Sequence, residues 1–431
     1  MALTGRTPLL ALLGALVVGL AAPSWAGVLL VTLAVLVLAA VDAALAGAVR
    51  PLELHRAGDT SVRLGEQARV DVLVTNPGRR RVHGLLRDAW PPSAGAASQR
   101  HRLQVAAGDR ARVSTLLRPT RRGDRHAYRV TVRSVGPLGL AARQRSRQLP
   151  WTLRALPPFA SRRHLPAKLA QLREIEGRAA VMVRGQGTEF DSLREYVPGD
   201  DVRSIDWRAT ARRSEVTVRT WRPERDRRVL LVLDTGRTSA GRVGDAPRLD
   251  ACMDAALLLA ALAARGGDRV DLLAYDRRVR ARVEGAPAPA LLASLVDAMA
   301  PLEAELVETD LAGMAATVLA RGGRRSLVVL LTGLEATPVE EGLLPVLGRL
   351  LHRHTVLVAA VSDPRVAELA DARGDAATVY AAASAERARA ERARLVELLR
   401  RRGVEVVDAL PDELAPALAD RYLALKAAGR L

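Results

Sequence analysis

Aromatic side chains are scarce in this sequence, because Phe, Trp and Tyr together account for 3 % of its 431 residues. Its hydrophobic cores must therefore be built mainly from Leu, Val and Ala. Proteins that bind single-stranded nucleic acid stack the bases on aromatic rings, and two Phe and five Tyr offer few such rings. We therefore interpret the formal net charge of +18 as that of a body beside an anionic membrane surface, with no nucleic-acid partner.

Cysteine is nearly absent as well. Cys252 is the only one, which excludes an intramolecular disulfide and a thiolate metal cluster and is typical of a reducing compartment. The two lysines, Lys168 and Lys426, lie outside any Gly-x-x-x-x-Gly-Lys-Ser/Thr motif, which argues against a P-loop ATPase. The sequence also lacks the Gly-x-Ser-x-Gly motif of hydrolases and the His-Glu-x-x-His motif of zinc proteases. We predict that the protein is not an enzyme.

Charge is almost missing from residues 7–49, where Asp42 is the only charged side chain. One membrane span needs about 20 apolar residues. The stretch is therefore long enough for two spans, residues 7–24 and 26–49, joined by a turn that carries no charge. We predict a transmembrane helical hairpin over residues 1–50 and a multi-pass protein of the cell membrane.

Arginines flank this hairpin on both sides, with Arg6 before it and Arg50 after it. Because positive residues stay on the cytoplasmic side, we predict that both ends and the soluble domains face the cytoplasm. The alternative is a signal peptide cleaved after Ala26, where small residues have the right spacing. Asp42 lies near the end of its span, so we expect it to pair at the interface and not to mark a polar site inside the membrane.

Short alternating runs of apolar and polar residues characterise residues 51–156. Examples are residues 70–74, 112–116 and 128–132, and turn signals rich in Gly, Pro and Asp lie between such runs. Several short strands at this spacing predict a β-sandwich (Ig-like) domain.

The pattern changes over residues 229–431, where strands and helices alternate. The strands are apolar throughout, for example at residues 229–233, 326–331 and 355–361. Fully apolar strands between helices predict a parallel sheet covered on both faces. The fold class is therefore multidomain, with a C-terminal α/β domain.

Residues 157–228 form a linker and a charged signature segment between these domains. Its carboxylates could suggest a hydrolase, which we keep as an alternative, but arginines are interspersed among them. We predict an ion-paired structural segment with Phe190 and Trp207 as its apolar pins. The residues of the signature segment are Gly185, Gly187, Glu189, Phe190, Asp191, Arg194, Glu195, Tyr196, Pro198, Gly199, Asp200, Asp201, Arg203, Asp206, Trp207 and Arg212.

The run from Gly185 through Arg212 closely resembles the signature of the domain-of-unknown-function-58 family. The hydrophobic pair at the start and residues 136–140, Gly-Pro-Leu-Gly-Leu, agree with that family. The resemblance implies a membrane-anchored bacterial protein whose C-terminal domain is von Willebrand factor A-like (Rossmann-like). It also implies an association with other proteins, since family members often accompany MoxR-type AAA+ ATPases.

A von Willebrand factor A domain typically binds a divalent cation through hydroxyl and carboxylate oxygens at the end of its sheet. The resemblance assigns Asp234, Thr238 and Thr309 to such a site. However, Gly236 stands in place of a hydroxyl residue, and Gly333 stands in place of an Asp. We therefore predict a weak or absent Mg²⁺ site.

Arg237 follows Asp234 closely and could attract a partner's carboxylate in place of a metal, because a guanidinium offers a planar fork of donors. Glu335 could substitute for the missing Asp. We predict a partner-binding surface at Arg237, Asp234 and Thr309 on a non-enzymatic scaffold or adaptor that contacts the lipid bilayer and, as the resemblance suggests, a MoxR-type ATPase. The alternative is an extracellular adhesin, and membrane topology separates the two.

Overall fold

The structure is a computed structural model, and the chain divides into two compact units between Leu156 and Pro157. The described residues are 2–21, 23–182, 189–198, 202–213, 215–222, 227–321 and 325–431.

The first unit opens with a short strand, β1 (Ala2–Leu3), and two apolar helices, α1 (Arg6–Ala21) and α2 (Trp25–Leu45). The Ser24 hydroxyl caps α2 by accepting the amide of Gly27. The 21 residues of α2 rise about 32 Å, which matches a hydrocarbon core of about 30 Å. The 16 residues of α1 rise only about 24 Å. Among the described helices, α2 alone is long and apolar enough to cross a membrane. This supports one of the two predicted spans, and α1 as the other span stays a prediction.

The rest of the first unit is β structure, as the alternating runs predicted. Strands β2 to β9 are Glu53–Gly58, Ser61–Arg63, Ala68–Thr75, Val82–Ala89, Arg100–Val105, Arg110–Leu117, Gly123–Val135 and Ala141–Leu156.

These strands form two sheets that share a core of Val and Leu side chains. One sheet has the order β2-β4-β7, and the other has the order β1-β9-β8-β5-β6, with β3 beside β9. A buried ion pair between Arg56 on β2 and Asp88 on β5 joins the sheets. Asp88 also accepts hydrogen bonds from Trp90 Nε1 at 2.8 Å and from Thr115 Oγ1 at 3.0 Å. Such bonds are needed because an ion pair away from water must satisfy its remaining lone pairs.

Asp42 fastens the second helix to this β domain. Its carboxylate is buried and lies three residues before the end of α2. One oxygen accepts the amide of Leu138 at 2.7 Å, and the other accepts those of Leu140 and Ala141 at 2.7 and 2.9 Å. A glycine is needed at Gly136, beside this carboxylate, because a Cβ atom there would lie 2.3 Å from Asp42 Oδ1. Asp42 thus pairs with backbone amides, and its place at a membrane interface stays a prediction.

The same loop, residues 136–140, also holds the start of α1. The Thr4 amide donates to the Leu140 carbonyl at 3.0 Å, and the Thr7 hydroxyl donates to the same carbonyl at 2.5 Å. Strand β1 then pairs with the first residues of β9. The beginning of α1 and the end of α2 therefore meet at one place on the β domain.

The second unit alternates helices and strands. Helices α3 to α12 are Leu165–Met182, Trp207–Arg213, Arg237–Ala240, Arg248–Arg265, Ala288–Met299, Leu311–Ala320, Leu344–Arg353, Pro364–Asp371, Ala376–Arg401 and Pro411–Ala427. Strands β10 to β19 are Glu189–Glu195, Thr217–Arg222, Arg228–Asp234, Arg242–Val243, Ala246–Pro247, Arg269–Tyr275, Val279–Val283, Leu327–Leu331, Thr355–Val361 and Glu405–Ala409.

A six-stranded sheet with the order β16-β15-β12-β17-β18-β19 forms the centre of this unit. Helices α8, α9 and α11 share one apolar core with it, whereas α6 and α12 pack on each other and against other parts of the strands. Five strands are parallel, as predicted. The predicted parallel sheet did not include the edge strand β16, which is polar, folds back and pairs antiparallel with β15.

Replacing Asp42 tests the link between the helices and the β domain. Asp42→Ala leaves three backbone amides without their acceptor, so we expect the free energy of unfolding to fall by about 3 kcal/mol. Asp42→Asn keeps one acceptor oxygen, and we expect about half that loss. Chemical denaturation of the full chain in detergent measures both, with exposed Glu53→Ala as the control. An Asp42→Ala chain as stable as wild type would contradict this role.

Candidate functional site

The carboxyl ends of β12, β15 and β17 lie at one edge of the sheet, because these strands are parallel. Open α/β sheets bind ligands at such an edge. Backbone hydrogen bonds connect the loop after β12 to the end of β15 and to the loop between α7 and α8. The Thr235 amide donates to the Tyr275 carbonyl at 2.9 Å, and the Arg237 amide donates to the Val307 carbonyl at 2.8 Å.

Asp234, the last residue of β12, lies at the centre of these loops with 1 % of its surface exposed. Its Oδ1 accepts the Gly236 amide at 2.8 Å and the Thr309 hydroxyl at 2.5 Å. Its Oδ2 accepts the hydroxyls of Thr238 at 2.8 Å and Thr332 at 2.5 Å. A carboxylate has about four acceptor positions, so all positions of Asp234 are filled.

The structure thus brings together Asp234, Thr238 and Thr309, which the sequence assigned to one site. Thr332 was missed, although it binds the same carboxylate. Thr332 is the first residue after β17 and directly precedes Gly333. Its place at the end of an apolar strand was the signal that could have assigned it to the site.

The two unexpected glycines make room for the threonines. A Cβ at Gly236 would lie 2.1 Å from Thr309 Oγ1, and one at Gly333 would lie 3.0 Å from Thr238 Cβ. The oxygens around Asp234 are of the type that Mg²⁺ prefers. However, they carry one negative charge, and every acceptor position of that carboxylate already has a donor. These residues therefore do not fit a tightly held Mg²⁺.

Glu335 and Arg237 have other partners than those expected. Glu335 pairs with Arg248 at 3.0 Å, so it does not replace the missing Asp beside Asp234. Arg237 Nε pairs with Glu308 Oε1 at 2.8 Å, and both side chains are more than half exposed. Leu306 directly precedes Val307, which bonds the Arg237 amide, and 80 % of Leu306 is exposed.

The signature segment is described in part, and its β10 and β11 pair antiparallel. Of its assigned residues, Gly185, Gly187, Gly199, Asp200 and Asp201 lie outside the described residues. Only the backbone is described for Glu189, Phe190 and Asp191.

Asp206 organises the described part of this segment. Its Oδ1 accepts the amides of Arg208 and Ala209, both at 3.0 Å. Its Oδ2 pairs with Arg219 Nε at 2.8 Å, and its own amide donates to Thr217. The Ala209 amide and the Arg219 guanidinium lower the pKa of Asp206. An ionised Asp206 therefore caps α4 and joins it to β11.

The prediction that Trp207 is an apolar pin is wrong, because 67 % of this residue is exposed. Trp207 is the first residue of α4, directly after the cap. Within the described residues, the capping carboxylate and not the indole connects the helix to the strand.

Substitutions at these two neighbouring positions should therefore differ. We expect Asp206→Ala to lower the Tm of the full chain, because α4 loses its cap and Arg219 loses its partner. Trp207→Ala should leave the Tm within about 2 °C. The lowered pKa of Asp206 means that its stabilisation is present at pH 7 and is lost as the pH falls below about 4. Calorimetry at pH 7 and pH 3 measures both effects, and a larger loss from Trp207→Ala would contradict this assignment.

Comparison with known proteins yields a family match and several relatives. The model of the family described as protein of unknown function DUF58 matches residues 192–402. The uncharacterized protein Rv1480 of Mycobacterium tuberculosis is 31 % identical over 194 residues, covering 44 % of this chain and 60 % of the relative. The uncharacterized protein YeaD of Bacillus subtilis is 27 % identical over 113 residues, covering 26 % of this chain and 28 % of the relative. The chain thus spans less than two thirds of these relatives.

Among solved structures, the CARDB domain of a Pyrococcus furiosus protein aligns with 15 % identity. The alignment covers 24 % of this chain and 86 % of that domain. Its TM-score is 0.18, which is too low to establish a shared fold. The family match includes the Asp206 cap, the Asp234 site and most of the central sheet. Residues 192–402, just under half of the chain, match the family described as protein of unknown function DUF58.

Proposed function

We propose that this protein is a membrane-anchored, non-enzymatic scaffold that recognises a protein partner with the loops around Asp234. The observation that supports this function is the saturated carboxylate, which ties three loops together while Leu306 and Arg237 stay exposed beside it. A stiff surface with an apolar anchor among charged residues suits protein recognition, because little conformational entropy is lost on binding.

The surface ion pair can be exchanged for a partner's carboxylate. Arg237 and Glu308 are both exposed, and exposed pairs contribute only about 0–1 kcal/mol to stability. Little stability is therefore lost when the Arg237 guanidinium leaves Glu308 and pairs with a carboxylate of the partner. Asp234 and Thr309 support the surface from beneath, and no metal is required.

The finer assignment of a von Willebrand factor A-like (Rossmann-like) domain with a MoxR-type AAA+ ATPase as its partner is part of this proposal. The central sheet and the loops at its carboxyl edge support the domain type. The ATPase is suggested by the family resemblance alone.

A non-enzymatic role agrees with the state of the single thiol. Cys252 is buried in α6, and burial raises its pKa to about 12. The thiol therefore stays protonated at neutral pH and is a poor nucleophile. Asp206, a candidate for hydrolysis, is instead engaged as a helix cap.

Two features support a membrane anchor with the domains in the cytoplasm. Because residues 136–140 hold both the start of α1 and the end of α2, the N-terminus and the β domain would lie on the same side of the membrane. Arg6 and Arg50 at these ends favour the cytoplasmic side. In this arrangement α1 enters the bilayer and α2 returns from it.

Binding to a purified MoxR-type ATPase tests the recognition surface. For the full chain in detergent, we expect Leu306→Asp to weaken the Kd at least about tenfold, because it places a charge at the apolar anchor. Arg237→Ala should weaken it by a smaller factor. The control is Arg401→Ala, which removes another ion pair, with Glu397, whose two side chains are also more than half exposed.

Equal binding by all these variants would contradict the proposed surface. Titration calorimetry of the chain with Mg²⁺ alone should show weak binding or none. Tight Mg²⁺ binding that disappears in Asp234→Ala would instead establish a metal site. Hydrolytic activity lost on removal of one carboxylate would favour the hydrolase alternative.

Membrane topology is tested with a reporter that is active only outside the cytoplasm. We expect a fusion after Leu431 to be inactive, because the soluble domains face the cytoplasm. A truncated fusion after Ser24 should be active if α1 crosses the bilayer. Strong activity from the fusion after Leu431 would support the extracellular adhesin.

A further inference from the structure

A groove lies beside the end of α2, where the chain passes from the helix into the β domain. Its volume is about 780 Å³, and the residues that line it are Ala48, Val49, Arg50, Arg143, Gln144 and Arg145. All six belong to the described part of the chain, and none of them is acidic.

The position of Arg143 places this groove at the level where the span ends. Its Nε donates to the Ala43 carbonyl at 2.8 Å, and its Nη2 donates to the Ala44 carbonyl at 3.3 Å. Both carbonyls belong to the last turn of α2, which carries a partial negative charge. The guanidinium is therefore held at the end of the apolar helix.

The positive charge around the groove is not balanced by acidic side chains. Arg50 and Arg145 have no acidic partner among the described residues, and Arg80 and Arg147 donate to backbone carbonyls. The nearby carboxylate of Asp42 is already bonded to three amides. Neighbouring guanidinium groups repel one another unless an anion lies between them.

We propose that this groove binds the phosphodiester headgroup of an anionic phospholipid. The inference rests on the membrane placement proposed above. Arg50 and Arg145 would donate to the phosphate oxygens, since guanidinium forks suit such groups, and the Gln144 amide can donate beside them. Anionic phosphates lie where an apolar span ends. Nucleic acid suits the groove less well, because no aromatic ring lines it for base stacking.

Lipid binding to the full chain in a nonionic detergent tests this site. Native mass spectrometry counts the phosphatidylglycerol and phosphatidylcholine molecules retained when each lipid is added. We expect wild type to prefer phosphatidylglycerol, and the double variant Arg50→Gln/Arg145→Gln to bind it about tenfold more weakly. The matched control is Arg87→Gln/Arg100→Gln, which removes two charges from paired, exposed positions of β5 and β6 and should keep the preference.

Each other outcome has a distinct meaning. Equal losses of phosphatidylglycerol binding in both double variants would show general charge attraction and would contradict lipid binding in the groove. Displacement of the lipid by millimolar inorganic phosphate would point to a soluble anion, and tighter binding of a short oligonucleotide would favour nucleic acid. A wild-type chain that remains soluble without detergent would overturn the membrane placement as well. A chain that stays in the membrane without preferring phosphatidylglycerol would overturn the groove alone.

Discussion

A carboxylate that leaves water must find hydrogen bonds within the protein, and this requirement shapes both units. Asp42, Asp88 and Asp234 are buried, and each collects donors from segments distant in the sequence. Asp42 joins the apolar helix α2 to a β loop, Asp88 joins two sheets, and Asp234 joins three loops, those after β12 and β17 and the one between α7 and α8. The apolar cores supply most of the burial, whereas these carboxylates decide which segments meet.

The same requirement explains why glycine stands beside two of these carboxylates. Gly136 allows a loop to approach Asp42, and Gly236 allows Thr309 to reach Asp234. A side chain at either position would occupy the space of a hydrogen-bonding atom. At Asp234, the glycines that stand where metal-site residues were expected make room for hydroxyls that satisfy the carboxylate.

Arginine serves the protein in more than one way. Arg56 is buried and paired with Asp88, Arg219 fixes a helix cap, and Arg143 holds the end of the apolar helix by its carbonyls. Arginine suits all three tasks because its planar group carries five donors and remains charged when it is partly buried. The charge that these contacts leave uncompensated at the end of α2 is the basis for the proposed binding of an anionic lipid there.

Composition and periodicity were sufficient to predict the apolar helices, the two-sheet β domain and the parallel strands, because burial imposes a regular pattern on each. The family resemblance, and not composition or periodicity, assigned Asp234, Thr238 and Thr309 to one site. Tertiary structure alone decided the rest. It placed Thr332 on the same carboxylate, turned Trp207 to solvent, paired Arg237 with Glu308 and bonded Asp42 to a loop nearly 100 positions away. Such contacts depend on the direction and distance of single side chains, which no local pattern in the sequence records.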